Sequence, residues 1–225
     1  PVSRVLTSRP LVEEAWPYSP ADLVPQDASN DQLFYIIPKF VHHAADQARA
    51  SLTRYYDCVL PASGGAVLDL CASWTSHYPE GRTFDRCALV GLNPLELLAN
   101  GAKTEWTVQN LNRSPTLPYD DDAFDVVTNS LSVDYLTDPL AVFREIKRVL
   151  RPGGLAAMAF TNRCFPSKVV PIWLEPFTDD NHARIVASYF HFAGGFHDIS
   201  VADISPDGWA GLRDPMIVVA ARAAA

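Results

Sequence analysis

The chain has 225 residues, 48% of them hydrophobic and 20% charged, with a formal net charge of −8. That length and balance suit one globular domain with a full core and a short appendage, and exclude a fibrous or largely disordered chain. The acidic surplus argues against a nucleic-acid partner, because gripping a phosphate backbone needs clustered Lys and Arg that displace counterions.

Residues 1–31 carry Pro10, Pro17, Pro20 and Pro25 among polar residues, the composition of an extended N-terminal arm with little regular structure. The first residue is Pro1 and not methionine, which fits a trimmed or incomplete start as well as removal of a targeting peptide, and an organellar origin stays open. Residues 32–62 read as a helical cap. From Pro38 to Tyr56 the apolar residues Phe40, Val41, Ala44, Ala45, Ala48, Leu52, Tyr55 and Tyr56 recur at helical spacing, and Pro38 is tolerable in a first turn. Pro61-Ala62-Ser63-Gly64-Gly65 breaks that helix, and residues 63–225 form the main domain.

Within that domain short apolar runs alternate with helical stretches. Strands are predicted at Val67–Leu70, Cys87–Leu92, Glu105–Val108, Asp125–Thr128, Leu155–Thr161, Ile199–Ile204 and Met216–Ala221. This rhythm implies βαβ units and a mainly parallel α/β sheet. Pro139–Leu150 places Leu140, Val142, Phe143, Ile146, Val149 and Leu150 on one helical face, and Arg151-Pro152-Gly153-Gly154 reads as its stop. A further helix is expected over Asp180–Phe192.

Cys58, Cys71, Cys87 and Cys164 lack paired spacing, so neither a zinc site nor a disulfide framework is indicated and a reducing compartment fits. Asp120-Asp121-Asp122 sits before a strand without a supporting Glu or His set and reads as a solvated turn, so no metal is expected. The Asn112-Arg113-Ser114 sequon is read as chance, and no apolar run approaches the ~20 residues of a membrane span. A G-x-G-x-x-G dinucleotide turn and a G-x-S-x-G nucleophile elbow are both absent.

The most informative segment is Ala66–Cys71, a buried strand carrying Asp69, followed by Ala72-Ser73-Trp74-Thr75-Ser76-His77. In nucleotide-binding α/β domains this turn is rich in glycine, which lets the backbone approach a ligand. Here the position is kept and the residues differ.

Asp122-Ala-Phe-Asp-Val-Val127, Tyr135-Leu-Thr-Asp-Pro139 and Phe143-Arg-Glu-Ile-Lys-Arg-Val-Leu-Arg-Pro-Gly-Gly154 resemble the class I S-adenosylmethionine-dependent methyltransferases of the small-molecule type, over about residues 60–222. The resemblance implies a Rossmann-like, seven-stranded, mainly parallel sheet with helices on both faces and the last strand antiparallel. It also implies S-adenosylmethionine as cofactor and S-adenosylhomocysteine as product. Pro38-Lys-Phe-Val-His-His43, Ser73-Trp74, Ser76-His77 and Gly91-Leu-Asn93 further resemble a branch of that family from photosynthetic organisms, which implies a plastid stroma or a bacterial cytosol.

Carried over by position, Asp69 and the loop residues Cys71, Ser73 and Trp74 face the amino-acid end of the cofactor, with Ser73 as a hydroxyl donor and Trp74 covering the sulfonium. Asn93 stands where an acid usually takes the ribose hydroxyls, and Asn110 with the Leu111 N–H stands at the adenine. Asn129 begins the segment Asn129–Tyr135 that lines the transfer site. Asp134 and the His42/His43 pair on the cap helix are the base candidates. Two functions follow: methyl transfer to a small or medium-sized metabolite, or a non-catalytic methyltransferase-like subunit of a protein assembly, which the missing glycines and the acid-to-amide positions favour. The oligomeric state is left open.

Overall fold

The computed structural model describes residues 4–6, 13–206 and 214–225. Its strands are β1 (Arg4–Leu6), β2 (Ala66–Leu70), β3 (Arg86–Gly91), β4 (Glu105–Val108), β5 (Phe124–Ser130), β6 (Leu150–Phe160), β7 (Phe196–Asp203) and β8 (Ile217–Ala223). The helices are α1 (Asp31–Phe34), α2 (Asp46–Val59), α3 (Pro94–Ala99), α4 (Pro139–Val149) and α5 (Asp179–Ala193). They join into one sheet of order β1-β7-β8-β6-β5-β2-β3-β4, in which β4, β3, β2, β5 and β6 run parallel and β8 runs antiparallel to both β6 and β7. Leaving β1 aside, this is the seven-stranded order expected of the class I methyltransferase fold, with its antiparallel last strand.

Alternation along the strands divides the core between the two faces of the sheet. Val67, Val126, Ala157, Val218 and Ala220 meet Ala48, Leu52 and Tyr56 of α2. Leu68, Leu70, Val127 and Met158 meet Phe143 and Ile146 of α4 and Ile185, Tyr189 and Phe190 of α5. With both faces covered, β2 is buried along its full length, which is why its sequence is a continuous apolar run broken only by Asp69. The chain passes from β2 outward to β3 and β4, then returns to β5 on the other side of β2. That reversal opens a crevice at the carboxyl ends of β2 and β5.

Four local expectations change. The helix predicted from Pro38 begins only at Asp46. Phe40 and Val41 are 52% and 55% exposed, so the apolar spacing there serves no buried face, and the Ala45 N–H donates to Asp214 Oδ2 at 2.6 Å. Residues 38–45 are therefore an irregular strap, and His42 and His43 lie on it and not on a helix. Arg151–Gly154 is drawn into the start of β6, with Gly153 at φ 77°. The short helix α3 follows Asn93, whose side chain caps it ahead of Pro94.

The arm is also more structured than its composition suggests. Among its described residues it contributes β1 beside β7, a 3-10 turn at Pro20–Leu23, and Trp16 packed on Tyr189 and Phe192 at 6.2 and 5.5 Å between ring centroids. Pro10 lies outside the described residues.

The turn after β2 is held against β3. The Ala72 N–H donates to the Val90 carbonyl at 2.8 Å, and the Ala72 carbonyl passes so close to Gly91 that a Cβ there would lie 2.2 Å from its oxygen. Gly91→Ala should therefore destabilise the protein by about 1–3 kcal/mol or more, read as a lowered urea midpoint. An unchanged midpoint would mean that the loop moves aside freely.

Candidate functional site

A cavity of about 330 Å³ occupies the crevice. Strand ends and loops supply Asp69, Cys71–Thr75, His77, Gly91–Asn93, Gln109–Asn112 and Ser130–Ser132, while Asp31, Tyr35, Lys39 and Val41–His43 cover it.

The loop after β2 makes its turn without glycine by placing Cys71 and His77 at φ 54° and 58°. Such positive φ values are strained for residues with a Cβ and need support from the surroundings. Among the described residues, the backbone N–H groups of Ser73, Trp74 and Thr75 have no acceptor. Three such donors in a cavity-lining loop suit an anion such as a carboxylate. Asp69 lies beneath them, 2% exposed, where Thr128 Oγ1 donates to its Oδ1 at 3.0 Å and the Tyr78 hydroxyl meets Thr128 Oγ1 at 2.6 Å. Burial pushes its carboxyl up to about 7 against the opposing hydrogen bonds from Ser76 and Thr128.

The structure brings Asp69, Cys71, Ser73, Trp74, Asn93, Asn110, Leu111 and His43 to the one cavity. It engages several of them differently from the expectation. Ser73 Oγ donates to Glu96 Oε2 at 2.6 Å, so its proton is already committed. Trp74 stacks on His42, with ring centroids 4.6 Å apart, and its Nε1 donates to the Val41 carbonyl at 3.2 Å. Asn110 Nδ2 reaches Asp31 Oδ2 at 3.5 Å, and its Oδ1 accepts from the Asn112 N–H. Asn93 is saturated: Oδ1 accepts from the Leu95 and Glu96 N–H groups, while Nδ2 donates to the carbonyls of Tyr35 and Ile36 at 2.8 and 3.3 Å.

Two expected site residues stand apart from the lining. Asn129 is buried beside Cys71, in hydrogen-bonding contact with that thiol, and its Oδ1 has no partner. Burial pushes the Cys71 thiol up to about 12. Asp134 is 3% exposed with an unpartnered Oδ2, and burial raises its carboxyl to about 8. Neither group reaches the cavity wall, because the β5 backbone turns at Leu131, φ 61°, and presents Ser130–Ser132 there instead. Of the base candidates, His42 lines the cavity stacked on Trp74, and so does His43. Burial lowers the His43 pKa, the nearby Glu96 opposes, and Lys39 and His42 reinforce the shift.

Three residues not among the expected site residues belong to this cavity. His77 lines the cavity as a neutral imidazole, its pKa lowered to about 4 by burial and by Arg49 and the other two histidines. Glu96 is 6% exposed and accepts from the Lys39 N–H at 2.6 Å besides Ser73 Oγ. Lys168, 3% exposed, donates to the Asp27 and Ser29 carbonyls and pairs with Asp27 and Asp31 at 3.2 and 3.3 Å, which ties the arm to the body. An Asn-Pro start marks α3 in the sequence, and one turn of helix from that cap leads to Glu96. No local signal marks Lys168. Asn112, the sequon residue, donates to Asp31 and to the Tyr135 carbonyl, so its amide is used internally.

Residues 81–158 match the family described as Methyltransferase domain. The demethylmenaquinone methyltransferase of Staphylococcus epidermidis is 30% identical over 108 residues, 44% of each chain. The chain spans about half the length of the curated relatives it matches. An S-adenosylmethionine-dependent methyltransferase from Mesorhizobium loti superposes with a TM-score of 0.54 at 18% identity, covering 76% of this chain and 97% of that one. A chain from the complex between the Haloferax volcanii Trm112 methyltransferase activator and its methyltransferase gives 0.59 at 17% identity, covering 80% and 92%. The segment 81–158 thus carries the methyltransferase-domain family signature, and the whole has the class I S-adenosylmethionine-dependent methyltransferase fold.

The buried Asp134 gives a stability prediction. Its folded pKa, about 8, lies above the ordinary Asp value, so the folded state holds a proton that the unfolded state loses above about pH 4. Its contribution to stability is complete below pH 4 and is lost as pH rises toward 8. Asp134→Asn should match wild type near pH 4 and become progressively more stable than it toward pH 8, by up to about 1.4 kcal/mol per pH unit. Thermal midpoints of both proteins across that range would show it, and a constant gap would contradict it.

Proposed function

We propose that this chain is an S-adenosylmethionine-dependent methyltransferase acting on a small or medium-sized metabolite. The observation that carries the reading is the cavity at the carboxyl ends of β2 and β5, the reversal point where α/β sheets of this order bind ligands, lined by the ends of four successive parallel strands. The residues present fit the cofactor's parts. The free N–H groups of Ser73–Thr75 offer a seat for its carboxylate, Asp69 offers a buried acceptor for its amine end, and Leu111 with Asn110 offers an apolar and polar wall for the base.

When bound, the cofactor would supply an electrophilic methyl group on a sulfonium. The chain's own part is to hold, orient and exclude water, with the strap Pro38–Ala45 closing the cavity from outside. His43, neutral at pH 7 because burial disfavours its charged form, would accept a proton from an acceptor hydroxyl or amine at its ring nitrogen. Compartment and lineage stay with the photosynthetic-branch resemblance, for which the relatives above offer no support.

A second reading is favoured by one specific observation: the amide of Asn93 is saturated by the chain itself. In that reading the fold is a non-catalytic subunit of a protein assembly, as the company of the Haloferax neighbour with an activator protein allows.

Isothermal titration with S-adenosylmethionine and S-adenosylhomocysteine separates the two. Binding at micromolar strength is expected for the enzyme, and silence up to millimolar ligand would replace it with the subunit. With an acceptor in hand, kcat/KM should fall on the acid side with a midpoint below the ordinary histidine value near 6.5, and His43→Gln should abolish that limb.

A further inference from the structure

In folds of this kind the acid that takes the ribose hydroxyls ends the second parallel strand, and in this chain that place holds Asn93. Its four hydrogen-bonding positions are all used within the protein, two on the cap of α3 and two on the carbonyls of Tyr35 and Ile36. No donor or acceptor is left on it for a ligand.

A carboxylate is nevertheless present one helical turn further on. Glu96 is 6% exposed, lines the same cavity, and has no cationic partner among the described residues. Its oxygens accept one bond each, from the Lys39 N–H and from Ser73 Oγ, both at 2.6 Å. A buried carboxylate with two neutral donors has lone pairs to spare, and desolvation makes further donors valuable to it. A vicinal diol offers two O–H donors at the spacing of one carboxylate. The position on α3 also puts this charge beside Gly91–Asn93, the segment against which the sugar would lie.

We infer that Glu96, and not Asn93, is the residue that recognises the ribose diol of an adenosyl ligand, so that the charged acceptor of this subsite has moved from the strand end to the helix. The inference rests on the methyltransferase reading above. It has a structural corollary: because Glu96 also accepts from Lys39, the diol and the strap share one carboxylate, and filling the subsite fastens the cover.

The test titrates S-adenosylhomocysteine and its 2′-deoxyribose and 3′-deoxyribose analogues into wild type, Glu96→Gln and Asn93→Asp, with thermal midpoints as a folding control. Gln can still accept from Lys39 and donate to Ser73, so the variant keeps the local bonds. Wild type should bind the full ligand about tenfold or more tighter than either deoxy analogue. Glu96→Gln should lose most of that difference while its affinity for the deoxy analogues stays within about twofold. Asn93→Asp should not tighten binding, since its carboxylate would face the Tyr35 and Ile36 carbonyls.

Undiminished discrimination in Glu96→Gln, or at least tenfold tighter diol-dependent binding in Asn93→Asp, would overturn the assignment to Glu96 and leave the methyltransferase reading standing. Failure of wild type to bind S-adenosylhomocysteine would remove both together.

Discussion

The approach of the Ala72 carbonyl to Gly91 sets the geometry on which the site depends. At 2.2 Å from the place of a Cβ, that oxygen leaves room only for glycine on β3, and the Ala72 N–H is tied to Val90 on the same strand. The close approach usually credited to glycines in the loop is obtained here from a glycine on the neighbouring strand. The loop itself can then carry Ser, Trp and Thr. Pinned to β3, it also sits beside α3, which lets Ser73 meet Glu96 and Asn100 Nδ2 reach the Ser73 carbonyl. The altered loop is thus a different solution to the same turn, with two residues of positive φ at its ends.

What the sequence made legible follows from what is repeated and buried. The seven strands of the main domain could be read because each is an apolar run between turns, and α4 and α5 because Val142, Phe143, Ile146, Ile185, Val186, Tyr189 and Phe190 all face one core. α2 starts later than the apolar spacing predicts because Phe40 and Val41 mimic the helical period while exposed. α3 is too short for periodicity, and Leu95 and Leu98 are 56% and 58% exposed. Strand-end positions such as Asp69, Asn93 and Asn110 line the cavity, since topology alone puts them there. Their hydrogen-bond partners were not legible. Asn93 is spent on Tyr35 and Ile36, and Asp31 on Asn112 and Lys168, through contacts between residues 57 to 81 or more positions apart.

Lys168 shows how the cap is secured. One buried ammonium takes the Asp27 and Ser29 carbonyls and the carboxylates of Asp27 and Asp31, while Asp31 in turn accepts from Asn112. Desolvation makes such a hub costly to leave half-satisfied. The strap and arm therefore behave as part of the domain, although their composition is that of a linker. Asp214 closes the other side, accepting from the Ala45 N–H and from Arg163.

The first strand carries a consequence for association. Every sheet that does not close has two rims of unspent backbone groups, and these invite pairing with other chains. Here the rim at β7 is covered by β1, three residues from the arm, running antiparallel to it. The rims left among the described residues are the three-residue β1 and the four-residue β4, where Glu105 is held by Arg86 at 2.6 Å. Without β1 the eight-residue β7 would be the rim on that side in place of a three-residue strand. The arm thus guards the fold against self-assembly at the end of the sheet farthest from the cavity it helps to close.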